Sequence, residues 1–468
     1  MKFKKFGKAL LLSALSAGIV LGVTSCAQSY TVGYLYVTGT DTSNPGAGFV
    51  SGFRIDHNTG KLTSINGMPV SSGGDNPVRA VLLDGSTFLY VLNRGTNPTT
   101  GSICTTDHPC SNYNITQFSV GANGSLTEEQ VYCAIQTAQC SKPILQGINP
   151  TRLIADSTGT HLYVLDHDSV GADGKTPATA SNPNTNCAVA LSTTTCGDIT
   201  AFSVDSTTGL LSLIQNSGTV VNGQDLTYFP VPSNPVDFTI SGGYIFTLYA
   251  TTNAGVDSTT GAYTGGSWVF PYTYTSTSGL LTTASSGIAN LGISEGTAIV
   301  TGGSYIYVLD NEAPSTNPTG ASSQILAYTV SSGGTGALQL ANNGVIADDV
   351  SASDPVYLTV DSTNKWFYVI NDAPAAPNKG LADSDIAGYV INTTYDPTEI
   401  SGSPFGTGSG PQCLVEDPSN QFFYEANFVS QNVTGQKLDN NAGVLAPFSQ
   451  SYTLKGPATW CLVDGRTD

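Results

Sequence analysis

Four polar side chains recur at one place in a repeated pattern. Arg79 in "NPVRAVLLD", Arg152 in "NPTRLIAD", Asp237 in "NPVDFTIS" and Tyr357 in "DPVYLTVD" each stand two residues after a proline that opens a short apolar run. Two guanidinium groups, a carboxylate and a phenol brought together could bind an anion or meet a developing oxyanion. They could equally pair with one another and simply fill the space between them. A second set lies in "LYVLDHDS", where His167 stands between Asp166 and Asp168; such an imidazole is a general base if enclosed and a solvated loop group if not. The catalytic candidates are therefore Arg79, Arg152 and His167, and the ligand-binding candidates Asp237, Tyr357 and Asp166. No metal is expected. The acid spacing of "DHDSVGADG" lacks the twelve-residue calcium pattern, and the cysteine pairs lack the short spacing or histidines of a zinc site. No cofactor motif is present in these runs, and none is expected.

The elements that must position these side chains repeat along the chain. "YLYVTG" at Tyr34, "FLYVLN" at Phe88, "HLYVLD" at His161, "YIFTLY" at Tyr244, "YIYVLD" at Tyr305, "WFYVIN" at Trp366 and "FFYEAN" at Phe422 are seven versions of one strand. All but the first are preceded by a partner strand and a tight turn: the proline-opened runs already quoted, with "EGTAIVTGGS" and "GPQCLVEDPSN". The first lacks that partner upstream, and "PATWCLVD" at Pro457–Asp464 has its form. Each repeat ends in a hairpin such as "AFSVDSTTGLLSLI" or "GFRIDHNTGKLTSI", with a glycine suited to positive φ. The pattern predicts an all-β fold: a seven-bladed β-propeller of four-stranded antiparallel blades, closed by the C-terminal strand pairing into the first blade.

Connections between the second and third strands of the repeats are long, at 95–114, 168–198, 251–267, 311–324 and 372–385, whereas the other intra-blade turns are short. Alternate connections lie on opposite faces, so one face is built up and the other trimmed. Cys104 with Cys110 and Cys187 with Cys196 fall in those long connections, and Cys133 with Cys140 falls between repeats on the same face. An even set of close pairs predicts disulfides that stiffen loops without a core. Cys413 and Cys461 lie on neighbouring inner strands, but their offsets to the closing Asp differ by one residue, so strand alternation does not decide whether they bond.

The N-terminus reads as an export signal. Lys2, Lys4, Lys5 and Lys8 precede an apolar run to about Val23, which closes on Val23-Thr24-Ser25-Cys26. That ending resembles a bacterial lipobox, which implies cleavage after residue 25, lipidation of Cys26 and, with Ala27 following, sorting of an exported lipoprotein to the outer membrane or cell surface. Residues 1–25 are then a signal peptide, 26–31 a tether and 32–468 the propeller. Without the signal the chain keeps 12 Lys and Arg against 34 Asp and Glu, a formal charge of −22. Such a surface repels phosphate backbones, so no nucleic-acid partner is expected, and membrane contact is expected through the lipid alone.

The "LYVLN" and "LYVLD" strands, the turn in "ADSTGTHLYVLD" and the hairpin in "AFSVDSTTGLL" resemble the lactonase-type seven-bladed propellers, which include 6-phosphogluconolactonase and the YVTN surface-layer propellers. The resemblance runs over residues 32–468. It implies an activity, lactone hydrolysis, carried out by His, Arg and acidic groups at the channel mouth, including a Pro-His pair opening an inner strand. Pro77-Val78, Pro150-Thr151, Pro235-Val236, Pro355-Val356 and Pro411-Gln412 depart from that pair. The reading from sequence is therefore an envelope-anchored binding module whose looped face meets a glycan, peptide, protein or small-molecule ligand; lactone hydrolysis near Arg79, Arg152 and His167 is the alternative.

Overall fold

The second strand of each repeat is buried on both faces, which is why its sequence is a run of apolar residues rather than an alternation. Tyr305–Asp310 and Phe88–Asn93 are buried throughout after their first residue. In the computed structural model these strands lie inside seven antiparallel sheets arranged in a ring. The structure describes residues 30–465 except 84–86, 97–111, 135–139, 141, 191–194, 222–223, 251–254, 257–262, 265, 284–287, 294, 312–322, 332, 349–351, 375–383 and 393–394. Cys26, Cys104 and Cys110 lie outside the described residues.

Each blade runs inner, second, third and outer strand. The inner strands are Pro77–Leu82, Ile148–Ala155, Pro235–Ser241, Gly296–Gly302, Ala352–Val360, Pro411–Glu416 and Ala458–Asp464, each beside the next around a central channel and the last beside the first. Ring closure is as the tail implied: Tyr34 pairs with Asp464, Tyr36 with Leu462 and Thr38 with Trp460. The outer position is often split. In the first blade both Leu62–Ser64 and Val70–Asp75 pair with the third strand Ala47–Asp56, and the third, fourth, sixth and seventh blades do the same with their own short segments.

In five of the seven blades a tyrosine ties the blade to the next. The hydroxyl of Tyr36 donates to the carbonyl of Gly124 at 2.8 Å, Tyr90 to Gly209 at 2.5 Å, Tyr163 to Gly279 at 3.4 Å, Tyr368 to Gly443 at 2.7 Å and Tyr424 to Gly60 at 2.7 Å. The acceptors are the hairpin glycines, all at φ between 66° and 79°, so the residue that shapes the turn also presents the carbonyl. Two blades depart from the device. Phe246 replaces the fourth tyrosine, and opposite Tyr307 the hairpin carries Tyr395, at φ 49°, in place of glycine.

Candidate functional site: an arginine pocket at the channel mouth

The residue before the repeated proline sets the site. Asn76, Asn149, Asn234 and Asp354 adopt φ of 50°, 57°, 60° and 57°, and Gly410 one of 73°, a left-handed conformation that Asn, Asp and Gly tolerate better than other residues. Immediately afterwards every inner strand skips one residue of register: Pro77 pairs with Asn93 but Arg79 with Leu92, and Pro150 with Asp166 but Arg152 with Leu165. This bulge re-aims the second residue after the proline. Arg79, Arg152, Asp237 and Tyr357 arrive at one end of the channel by this route, and so does Trp460, which follows the equivalent skip in the closing strand.

Arg152 donates from Nε to Asp237 Oδ1 at 3.0 Å. The Asp237 carboxylate also accepts the backbone N–H of Phe238 at 2.9 Å and of Ile299, on the next inner strand, at 3.2 Å. Arg79 has no such partner. Its guanidinium carbon lies 3.3 Å from the Trp460 ring centroid and 5.4 Å from that of Tyr357, and among the described residues no carboxylate pairs with it. Burial, and then the like charge of Arg152, push Arg79 down to about 10, so it stays cationic at neutral pH. Arg94 joins them: its Nε donates to the Pro150 carbonyl at 3.2 Å, and burial with Arg152 also lowers it to about 10. Three of the chain's five arginines thus meet in a cavity of about 680 Å³ floored by Trp460 and flanked by Gln412, Gln431 and Phe428. The one carboxylate on its wall, Asp41, is bound by Lys455 and Ser43 and held at about 2, which makes it a weak base.

His167 and Asp166 are not brought to this cavity. His167 Nδ1 lies 3.0 Å from Asp168 Oδ1 in the third blade, and no described histidine lines the cavity. Asp166 is buried opposite Asp198, both accepting from Thr200 Oγ1 at 3.4 Å; burial pushes both carboxyls up. Sequence reasoning passed over Arg94 and Trp460. Arg94 is the first residue after "FLYVLN", and Trp460 sits at the register position of Arg79 in the strand that was read for its closing role alone.

The disulfides Cys133–Cys140 and Cys187–Cys196 are formed, and so is Cys413–Cys461, with a Cα separation of 5.8 Å. The unequal offset of the last pair follows from the site's geometry. The second residue after the proline reaches across to the following residue of the next inner strand, as Asp237 reaches the N–H of Ile299, and Cys413 reaches Cys461 by the same step.

Residues 312–460 match the family model "Lactonase, 7-bladed beta-propeller", and the ring of blades extends that architecture over the rest of the described chain. The described chain is a seven-bladed β-propeller, and residues 312–460 are similar to the lactonase-type members of that fold. The periplasmic gluconolactonase of Pseudomonas aeruginosa is similar in structure, with a TM-score of 0.59 at 15% identity over 92% of this chain and 99% of that one. A candidate 6-phosphogluconolactonase of Bacteroides uniformis gives 0.58 at 15% over 92% and 99%, and one of Bacteroides fragilis 0.57 at 12% over 92% and 98%. At such identities the likeness speaks to the fold. No curated protein sequence matches the chain.

Proposed function

We propose that this propeller binds a small organic anion, a carboxylate such as a sugar acid, in the arginine pocket. The observation that carries the reading is Arg79, a half-buried cation held against an indole, with no carboxylate paired to it among the described residues. A desolvated charge is costly unless a partner arrives, and a carboxylate suits the fork of a guanidinium. Trp460 and Phe428 add apolar surface for the ligand's carbon frame. Hydrolysis of a lactone is the second reading, favoured by the convergence of Arg79 and Arg152 as oxyanion donors and by the names of the three gluconolactonase-type neighbours. Among the described residues the cavity offers one carboxylate as a water-activating base, Asp41, and Lys455 and Ser43 hold that group.

Titration calorimetry with sodium gluconate, run beside a turnover assay on glucono-1,5-lactone, separates the two. The binding reading expects gluconate to bind, Arg79→Ala to weaken it at least tenfold, as loss of a charge-assisted pair does, and lactone to hydrolyse at the buffer rate. Lactone turnover that disappears in Arg79→Ala and Arg152→Ala with unchanged melting would replace binding by hydrolysis. The lysine-led apolar N-terminus and Cys26 support placement as an exported lipoprotein. Fatty-acid labelling of the wild type and of Cys26→Ser tests this; equal labelling overturns it.

A further inference from the structure

A second cleft, of about 510 Å³, opens on the looped face over the second and third blades. Its walls come from four places in the chain: Tyr113 just before the third strand Asn114–Val120 and the 170–186 connection, both in long second-to-third connections, with Gln146 before the inner strand Ile148–Ala155 and Tyr228 before the segment Phe229–Val231. The arginine pocket and this cleft share no lining residue.

The polar groups of the cleft are set in advance. Asn184 donates from Nδ2 to Tyr228 Oη at 3.0 Å and to the Val170 carbonyl at 2.9 Å, while Asn186 Nδ2 donates to the same Tyr228 oxygen at 2.8 Å. Asn184 Oδ1 accepts the Asn186 backbone N–H at 2.9 Å, and Thr227 Oγ1 fixes Gln146 through its Oε1 at 2.7 Å. The Cys187–Cys196 disulfide closes the connection directly behind Asn186. Two groups are left over. Tyr113 is 9% exposed and its hydroxyl has no partner among the described residues, nor has the Oδ1 of Asn186. Burial, with the acids Asp166 and Asp198 beneath, pushes the Tyr113 phenol up, so it remains a neutral donor. The charged side chain on the wall is Lys175, and it is exposed at the rim.

We propose that this cleft binds a neutral carbohydrate. A sugar hydroxyl both donates and accepts, which matches a leftover donor on Tyr113 and a leftover acceptor on Asn186. The half-buried phenol ring of Tyr228 offers apolar surface to sugar C–H groups beside a polar tip, and the volume falls in the roughly 300–1,000 Å³ range of small-molecule sites. Among the described residues an ionic ligand finds no buried counter-charge here. Because the amides are already held by Tyr228 and the backbone, little ordering remains to be done on binding.

Saturation-transfer NMR and calorimetry on the full chain, with glucose, galactose, N-acetylglucosamine, cellobiose and maltose as probes, test the proposal. At least one of these is expected to bind, with Tyr113→Phe and Asn186→Ala each weakening it about fivefold or more, the loss of one neutral hydrogen bond and its desolvation, at unchanged melting temperature. Tyr113→Phe removes one oxygen and keeps the ring, so it reports on the site even if Asn186→Ala unsettles the connection. Arg79→Ala is expected to leave saccharide binding as it is, which keeps this proposal separate from the arginine pocket. No binding by any of the five probes, binding that survives both substitutions, or displacement of the saccharide by gluconate would each overturn it.

Discussion

Arg79 sits over Trp460, its guanidinium carbon 3.3 Å from the centre of the indole, and the two come from inner strands of adjoining blades. Trp460 belongs to the last strand of the chain and Arg79 to the first inner strand, so the contact spans the closure of the ring. Tyr357 meets Trp460 edge-on, with centroids 4.9 Å apart. The strand that seals the fold thereby also supplies the surface on which the unpartnered cation rests.

Trp460→Leu keeps apolar bulk in the channel mouth but removes the ring under Arg79. A cation held on an aromatic face is stabilised by about 0.5–2 kcal/mol, so the gluconate dissociation constant should rise about two- to thirtyfold while the chain still folds. Calorimetry reads the change. An unaltered constant would mean that the indole does not orient Arg79.

The ring, its seven blades and its closing strand were legible because they rest on local signals: the repeated proline, the doubly buried aromatic strand and the hairpin glycine. The bulge was not. Nothing in "NPVR" states that Arg79 pairs with Leu92 rather than with Val91, and one residue of register decides which side chains face the channel. That is why Cys413 and Cys461 looked mismatched and why Trp460 was read as a strand residue. Asp166 and His167 were singled out by local composition, yet burial beside Asp198 and contact with Asp168 are decided by strands about thirty residues apart and by a neighbouring turn. The Tyr113 cleft was invisible for a similar reason, since its walls come from four separate connections.

The tyrosine latches carry a prediction about the closure. Tyr424→Phe removes the hydroxyl that joins the last blade to the hairpin of the first through the Gly60 carbonyl. A hydrogen bond of this kind contributes about 1 kcal/mol, and the buried carbonyl left behind costs about 1–3 kcal/mol. The melting temperature should fall by a few degrees. A further Phe246→Tyr change is not expected to restore it. Melting of Tyr424→Phe at the wild-type temperature would show that the latch adds nothing.

Asp166 and Asp198 should make stability fall as pH rises. In other blades the corresponding pair contains an amide donor, as Asn93 to Asn114 at 2.8 Å, Gln324 to Asp310 at 2.8 Å and Asn371 to Asp385 at 3.0 Å. In the third blade two carboxyls face each other instead, burial raises Asp166 to about 8, and a proton shared by the pair is expected to take the place of that amide. An acid whose pKa is raised on folding binds its proton more tightly in the native state. Below the usual aspartate range both states are protonated and nothing is lost; between there and about pH 8 the native state holds the extra proton and stability declines by about 1.4 kcal/mol per pH unit. Asp198→Asn supplies an N–H instead. Its melting temperature should exceed that of the wild type at pH 8, and the gap should close towards pH 4. Parallel curves for the two proteins would rule out the shared proton.

Arg79 and Arg152 should separate binding from folding. Arg152 neutralises Asp237, whose side chain is 1% exposed, so Arg152→Ala leaves a buried carboxylate with its two backbone donors and no cation. Loss of one partner of a buried pair costs about 3–5 kcal/mol; the N–H groups of Phe238 and Ile299 retain part of the stabilisation here, and a clear fall in melting temperature should remain. Adding Asp237→Asn should recover most of it, because the orphaned charge goes with it. Arg79→Ala has no paired acid to orphan among the described residues, and its melting temperature should hold or rise as a half-buried charge is removed. Both single variants should lose gluconate, while Arg152→Ala/Asp237→Asn regains stability without regaining affinity. If Arg79→Ala proves the more destabilised of the two, then Arg79 is a structural cation and the anion site fails with it.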